Sequence, residues 1–190
     1  FGSTFTGNQV TNATTIFNGG GAIDNAGSNS QLSVVNSAFT GNSARNGGAI
    51  NNFNASDANI TNSTFTNNSA TDGGAIHNAG SGATINLFSG TLSGNTATSD
   101  GGAISNGGTS NTGIANIYNS TISNNTANSD GGGISTLGLI TIENSVVDNN
   151  DATSSGGGIF VGSGSNQTVT ITNVEISNNF AGTRGGGLFY

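Results

Sequence analysis

Phe65-Thr66-Asn67-Asn68, followed after a short turn by Gly73-Gly74-Ala75-Ile76, decides the fold because both elements recur along the chain. F-x-x-N, or an aliphatic variant of it, occurs seven times, and each copy precedes G-G-A-I or G-G-G-[IL]. The aliphatic ends of the second element, from Ile23 to Leu188, are separated by 27, 26, 28, 30, 25 and 29 residues. Periods of roughly 20–50 residues are typical of solenoids. A unit this small cannot bury its own apolar face, so neighbouring units must stack.

The residues before each Phe position predict a strand. Apolar residues lie five and seven positions earlier, as Ile60 and Ala58 do before Phe65, and this period of two indicates one buried face. The alternation breaks at the Phe position, which predicts a bend, a short strand around Phe, a turn at Asn and a third strand at G-G-A-I. Three strands per coil, each about 4.8 Å from its equivalents, predict an all-β parallel β-helix (β-solenoid) of about seven coils of 25–30 residues.

Asparagine recurs in three columns, and stacked side-chain amides can bond to one another from coil to coil. The unbroken column is predicted to form a structural ladder of Asn8, Asn42, Asn68, Asn95, Asn125, Asn150 and Asn179. A second ladder is expected at Asn25, Asn52, Asn78 and Asn106. A third column, three residues before each Phe position, shares the inward parity of the apolar residues and is expected to point inward: Asn36, Asn62, Ser89, Asn119, Asn144 and Asn173.

Composition limits the partners. The net charge is −7, and Arg45 and Arg184 are the only basic residues, so the chain is not expected to bind nucleic acid. No apolar run approaches the roughly 20 residues of a membrane span, so we expect no membrane insertion. Cysteine is absent, which leaves the redox compartment open. We interpret 1–190 as a single solenoid domain, a segment or subunit of a longer assembly, since the chain starts at Phe1 within a repeat.

The first coil is longer than the others. Eighteen residues separate Phe5 from Ile23, whereas eleven or twelve separate the equivalent positions in every later coil. The excess, from Val10 to Phe17, is interpreted as a cap or a contact with a neighbouring subunit, although insertions in repeats often form a binding surface.

Candidate catalytic residues are few. Glu143, Asp148, Asp151 and Glu175 fall in neighbouring coils, and a pair of carboxylates would suit polysaccharide cleavage. A scatter of solvated acids explains them more simply. His77, the single histidine, has outward parity and is expected to be an exposed surface residue, not a metal ligand or catalytic base. We therefore predict no catalytic residue and no cofactor.

An aspartate column, Asp72, Asp100 and Asp130, precedes the glycine pairs. Stacked carboxylates repel one another unless a cation bridges them, so the column is a candidate calcium site. The neighbouring members Asn46 and Ser155 dilute the charge. Exposed carboxylates that accept hydrogen bonds from turn N–H groups are the favoured interpretation.

Threonines flank the Phe position in several coils, as Thr64 and Thr66 flank Phe65. Such T-x-T rows resemble those of solenoid ice-binding proteins. Asp148 and Glu175 interrupt the rows, and threonine is common on strand surfaces for its β propensity alone. Ice binding stays a minor alternative.

The alternation of F-x-x-N with G-G-A-[ILV] resembles the repeats of the chlamydial polymorphic membrane proteins and similar bacterial surface proteins, over essentially the whole chain. The resemblance implies a right-handed β-helix at the cell surface, often as the passenger of an autotransporter with an adhesive role. The motif residues themselves would be scaffold.

These observations favour a non-enzymatic extracellular structural protein, a rod that forms a filament, sheath or stalk or an adhesive passenger. The alternative is an adhesin module that binds a surface glycan or receptor, and an enzyme or ice-binding protein ranks below both. Uncovered end coils would recruit further strands, so head-to-tail self-association, coil on coil, is expected.

Overall fold

The computed structural model describes residues 2–11, 19–108, 112–163 and 167–190. Its strands, numbered in chain order, form four parallel sheets, and the described residues include no helix. Each sheet receives one strand from each coil it spans, so the chain winds as a β-helix. The predicted all-β parallel solenoid is confirmed.

Two sheets contain the strands up to and including the Phe position. The long sheet contains β3 (Gln31–Val35), β6 (Asp57–Thr61), β10 (Thr84–Phe88), β14 (Ile114–Tyr118), β18 (Leu139–Glu143) and β22 (Val169–Thr172). The Phe sheet contains β1 (Thr4–Thr6), β4 (Ala38–Thr40), β7 (Thr64–Thr66), β11 (Thr91–Ser93), β15 (Thr121–Ser123), β19 (Val146–Asp148) and β23 (Glu175–Ser177).

The other two sheets complete each coil. The Ala sheet contains the two-residue strands β8 (Ser69–Ala70), β12 (Thr96–Ala97), β16 (Thr126–Ala127), β20 (Asp151–Ala152) and β24 (Phe180–Ala181). The Ile sheet contains β2 (Ile23–Asn25), β5 (Ile50–Phe53), β9 (Ile76–Ala79), β13 (Ile104–Asn106), β17 (Ile134–Thr136), β21 (Ile159–Val161) and β25 (Leu188–Phe189).

The coil differs from the sequence-based prediction in one respect. Three strands per coil were expected, but the small alanine two residues after five of the ladder asparagines, such as Ala70 after Asn68, lies in a short fourth strand. The alanine faces inward and the preceding residue faces out, which completes the period of two. The seven stacked strands of the Phe and Ile sheets correspond to six complete turns, close to the expected seven coils.

The core is a set of columns of identical or similar side chains. The register is strict, so Phe39 pairs with Phe65, and Phe65 pairs with Leu92. The rings of Phe5, Phe39 and Phe65 stack with centroids 4.7 Å apart and planes 2° apart. Because centroid and strand spacings nearly coincide, the register itself produces the offset stack that aromatic rings favour.

The corners use residues with positive φ. Gly73 has φ +64°, and a Cβ on the following Gly74 would overlap the Gly102 carbonyl of the next coil, which explains the paired glycines.

A second corner was predicted wrongly. The column represented by Asn62 does not point inward, because Asn62 has φ +49° and is exposed. The next residue, Ser63, is buried instead, and its Oγ accepts from the Ser37 N–H and donates to the Thr61 carbonyl.

The insertion from Val10 to Phe17 lies largely outside the described residues. Only its start is described, where the Val10 N–H donates to the Ser43 carbonyl of the next coil at 3.0 Å.

Candidate functional site

The unbroken asparagine column forms a continuous hydrogen-bonded ladder. In each step the side-chain Nδ2 and the peptide N–H both donate to Oδ1 of the next asparagine. Asn68, for example, donates both bonds to Asn95 Oδ1 at 3.0 Å. The side-chain bonds join Asn8 to Asn42, Asn42 to Asn68, Asn68 to Asn95, Asn95 to Asn125, Asn125 to Asn150 and Asn150 to Asn179.

Each internal side chain of this ladder uses its full hydrogen-bonding capacity. Asn68 Nδ2 donates to Asn95 and also to the Phe39 carbonyl at 3.0 Å. Asn68 Oδ1 accepts from the N–H and Nδ2 of Asn42 at 2.9 and 3.0 Å. An amide offers two donors and two lone pairs, so nothing remains to bind a ligand. With an exposed fraction of 1%, Asn68 is part of the scaffold.

A second ladder follows the Ile sheet. Asn25 donates to Asn52, Asn52 to Asn78 and Asn78 to Asn106, at 2.7 to 2.8 Å. Asn106 then donates to the Thr136 hydroxyl at 2.9 Å. All four asparagines are buried and also bond to the backbone carbonyl of the first residue of a long-sheet strand, such as Thr84 O for Asn52, and Asn52 bonds in addition to Ser56 O in the return loop. This ladder holds the return loop against the core.

The aspartate column stabilises turns. The carboxylate of Asp100 accepts the peptide N–H of Asp130 at 3.0 Å, and Asp130 accepts the N–H of Ser155 at 2.8 Å. The Asp72 carboxylate lies 3.4 Å from the Asp100 nitrogen, at the long end of the range. These carboxylates are half-buried and bond to the next coil. Among the described residues, no three His, Cys, Asp or Glu side chains are arranged to hold a metal ion.

His77 is not an exposed surface residue as expected, since only 7% of it is exposed. It points away from the core, but its neighbours in the same column, Asn51 and Ser105, are buried as well. Asn51 Nδ2 donates to Asp24 Oδ1 at 2.8 Å, so Asn51 Oδ1 faces His77 Nδ1 as the acceptor at 2.9 Å. Burial lowers the pKa of His77 from 6.5 to about 4. The imidazole is therefore neutral at pH 7, with its proton on Nδ1.

The candidate catalytic acids lie on three different sheets. Glu143 belongs to the long sheet, Asp151 to the Ala sheet, and Asp148 and Glu175 to the Phe sheet. Asp148 and Glu175 share one hydrogen-bond donor, Ser177. The Ser177 hydroxyl lies 2.9 Å from Asp148 Oδ1 and 3.1 Å from Glu175 Oε1. Glu175 is exposed, on the outer surface of a strand.

The T-x-T residues form two columns on the outer face of the Phe sheet. Thr40, Thr66, Ser93 and Ser123 are aligned in register. The parallel column contains Thr64, Thr91 and Thr121, but Ala38 separates them from Thr4, so the hydroxyl array is incomplete. The columns end at Asp148 and Val146.

The outer face of the long sheet carries a feature that the sequence analysis missed. Phe88 and Tyr118 are in register and stack with centroids 5.1 Å apart and planes 14° apart, although 40% of Phe88 is exposed. Beside them runs a surface amide row, in which Asn116 donates to Asn86 and Asn86 to Asn59, at 2.9 and 3.0 Å. Phe88 and Tyr118 are 30 residues apart, and only alignment of the repeats could have paired them.

Comparison with known families adds one finding. Residues 62–79, 89–107 and 119–137 match the Chlamydia polymorphic membrane protein repeat. These segments are similar to polymorphic membrane protein repeats. The first runs from the exposed corner at Asn62, through the Phe and Ala strands, to the end of β9 at Ala79. No curated protein and no solved structure matches the chain. In the described part of the chain, no helix has the length and apolar character to cross a membrane.

Proposed function

We propose that this protein is a non-enzymatic structural rod of a bacterial surface, acting as part of a filament, sheath or stalk or as an adhesive passenger. The observation that supports the proposal is the continuity of the interior. The asparagine ladder runs from Asn8 to Asn179 without interruption, and the inward column from Phe5 to Ile176 is aliphatic or aromatic at every step. A column in register through all coils makes a stiff rod on the order of 30 Å long.

The polymorphic membrane protein repeats support the surface location. They are named for membrane proteins of Chlamydia. A narrow solenoid outside the cell can hold a binding surface at a distance from the membrane. The low content of charged residues, 6%, and the absence of cysteine suit a rod whose stability comes from stacked amides and apolar columns. Most of the aspartates described above also fit a structural role, because their carboxylates accept hydrogen bonds from hydroxyl, amide or peptide groups of the adjacent coil.

The asparagine ladder also supports head-to-tail association. Every bond between two asparagines of this ladder is donated toward the higher-numbered coil, so the ladder has a direction. Within the described residues, Asn8 Oδ1 accepts no bond, and Asn179 Nδ2 makes a single bond, to Val147 O at 2.8 Å. The acceptor end of one copy therefore complements the donor end of another. A heterologous contact of this kind propagates into a fibre.

Two observations test the proposal. Negative-stain images of the native material should show rods or fibres, and an antibody raised against the chain should label intact cells as strongly as permeabilised ones. Compact particles, or labelling that requires permeabilisation, would contradict it. The alternative of a glycan-binding adhesin module is favoured by one specific observation, the exposed aromatic pair on the long sheet.

A further inference from the structure

The outer face of the long sheet is the most apolar outward surface in the middle of the rod. Val35 and Phe88 are 46% and 40% exposed and lie in one outward column, which reads Val35, Thr61, Phe88, Tyr118, Glu143 and Thr172. The equivalent outward columns of the Phe sheet contain hydroxyls and an alanine through the first five coils. Core packing does not explain an exposed phenylalanine here, and exposed apolar groups that are rimmed by polar residues often mark binding sites.

The stacking of the two rings leaves one aromatic face open. Tyr118 covers the face of Phe88 that is turned toward the next coil. The opposite face is turned toward the preceding coil, where the aligned residue is the small Thr61. Two coils, or about 10 Å, separate Phe88 from Val35. We call the space above Thr61, between Val35 and Phe88, the Phe88 notch.

The floor of the Phe88 notch is polar. Thr61 and Asn59 lie on the same face of β6, two residues apart. Asn59 Oδ1 accepts from Asn86, which orients the amide so that both Nδ2 hydrogens remain available. The Thr61 hydroxyl makes no side-chain hydrogen bond to the described residues. The notch thus combines an apolar wall with two oriented polar groups.

We propose that the Phe88 notch binds a neutral saccharide. A pyranose ring has one face of C–H groups, which suits the electron-rich face of Phe88 at van der Waals distance. Its rim of hydroxyls suits Asn59 Nδ2 and the Thr61 hydroxyl. Because the amide row is already oriented by its own hydrogen bonds, little side-chain freedom is lost on binding.

Charge selects a neutral ligand over an anionic polysaccharide. The net charge is −7, and neither Arg45 nor Arg184 belongs to a strand of the long sheet. Asp57 and Glu143 lie on the same outer face, so the local potential repels sulfate and uronate groups. A large protein partner is less suitable, because polar columns on both sides of Phe88 interrupt the apolar area that a stable protein interface needs.

The inference deepens the adhesive form of the proposed function and rests on it for the setting in which the saccharide is met. Binding is tested on purified protein, so failure of the surface location and failure of the binding site are separate results. The fluorescently labelled 190-residue chain is applied to a microarray of neutral, sulfated and uronate-containing glycans. The strongest neutral oligosaccharide is then titrated by calorimetry.

Matched variants locate the site. Phe88→Thr introduces the residue found at Thr61 and Thr172 in the same column. Phe180→Thr is the control, because Phe180 is 63% exposed on the Ala sheet and Thr126 lies in its column. We expect Phe88→Thr to weaken binding at least tenfold and Phe180→Thr to change it less than twofold, with unchanged circular dichroism spectra. Asn59→Ala provides a second variant and should weaken binding severalfold.

Three results would overturn the proposal. They are no binding of the wild-type chain to any neutral glycan, a preference for sulfated or uronate-containing glycans, and equal affinities of the Phe88→Thr and Phe180→Thr variants. Lateral self-association that is lost in Phe88→Thr would instead assign this face to a second copy of the chain.

Discussion

Replacement of Asn68 by leucine tests the energetic role of the asparagine ladder. Asn68 lies in the middle of the ladder and is 1% exposed. The substitution removes the acceptor for two donors of Asn42, its peptide N–H and its Nδ2, and the Nδ2 donor for the Phe39 carbonyl. The Asn68 peptide N–H keeps its bond to Asn95. Three polar groups therefore lose a partner in a buried position.

The expected loss of stability is large relative to that of most single substitutions. A buried polar group without its partner costs about 1–3 kcal/mol, so the three groups cost about 6 kcal/mol at the midpoint of that range. Burial of the leucine side chain contributes about 2 kcal/mol in the opposite direction. The net effect is about 4 kcal/mol, of the order of a third to a half of the stability of an ordinary domain.

The same substitution at the end of the same column is the control. Asn8 is exposed, and both its side-chain Nδ2 and its peptide N–H donate to Asn42 Oδ1. In Asn8→Leu only the side-chain bond is lost, and Asn42 Oδ1 still accepts the bond from the peptide N–H. Asn8→Leu should cost about 1 kcal/mol or less. Urea unfolding followed by far-UV circular dichroism should show a midpoint about 2 M lower for Asn68→Leu, at a slope of about 2 kcal/mol/M. If the two variants unfolded within about 0.5 kcal/mol of each other, the ladder would not contribute as described.

Three further predictions follow from the same geometry. Burial lowers the pKa of His77 to about 4 in the folded chain, from 6.5 in the unfolded chain. Below pH 6.5 the unfolded chain therefore binds a proton that the folded chain does not, and the free energy of unfolding falls as the pH drops from 6.5 toward 4. Relative to His77→Asn, the residue found at Asn51, wild type should lose about 2 kcal/mol between pH 7 and pH 5 in urea titrations, and parallel pH profiles would refute this. Chelation with EDTA should leave the melting temperature within about 1 °C, whereas a drop of many degrees would make the aspartate column a metal site. Sedimentation of the 190-residue chain should show species that grow with concentration, and a stable monomer would contradict head-to-tail association.

The inward side of the fold was predictable because the interior repeats with the chain. The Phe column, the aliphatic residues of the long sheet and the glycine pair recur at fixed spacing, and each has one physical role. The short strand at Ala70 was missed because two residues give no periodic signal. The corner at Asn62 was misassigned because a residue with positive φ turns its side chain away from the face that alternation predicts. Parity counting holds only within a strand.

The outward side was much less predictable, since exposure there depends on which segments fold back over a strand. His77 has outward parity and is nevertheless buried, as are Asn51 and Ser105 in the same column. Phe88 has the same outward parity on the long sheet and is exposed. Neither outcome is encoded in local spacing.

The contrast between inner and outer columns bears on how a rod of this kind would bind. The ladder column is asparagine in every coil, but the outward column through Phe88 changes residue at nearly every step. The Phe88 notch therefore occurs at one height along the rod, and a single copy offers a single saccharide site. The proposed head-to-tail association would repeat that site once per copy, on the order of 30 Å apart. Weak contacts at this spacing combine on a multivalent glycan surface, because the second contact forms at high effective concentration. Assembly and adhesion would thus be coupled, and a variant that cannot associate should retain the affinity of its single site but lose most of its retention on a glycan-coated surface.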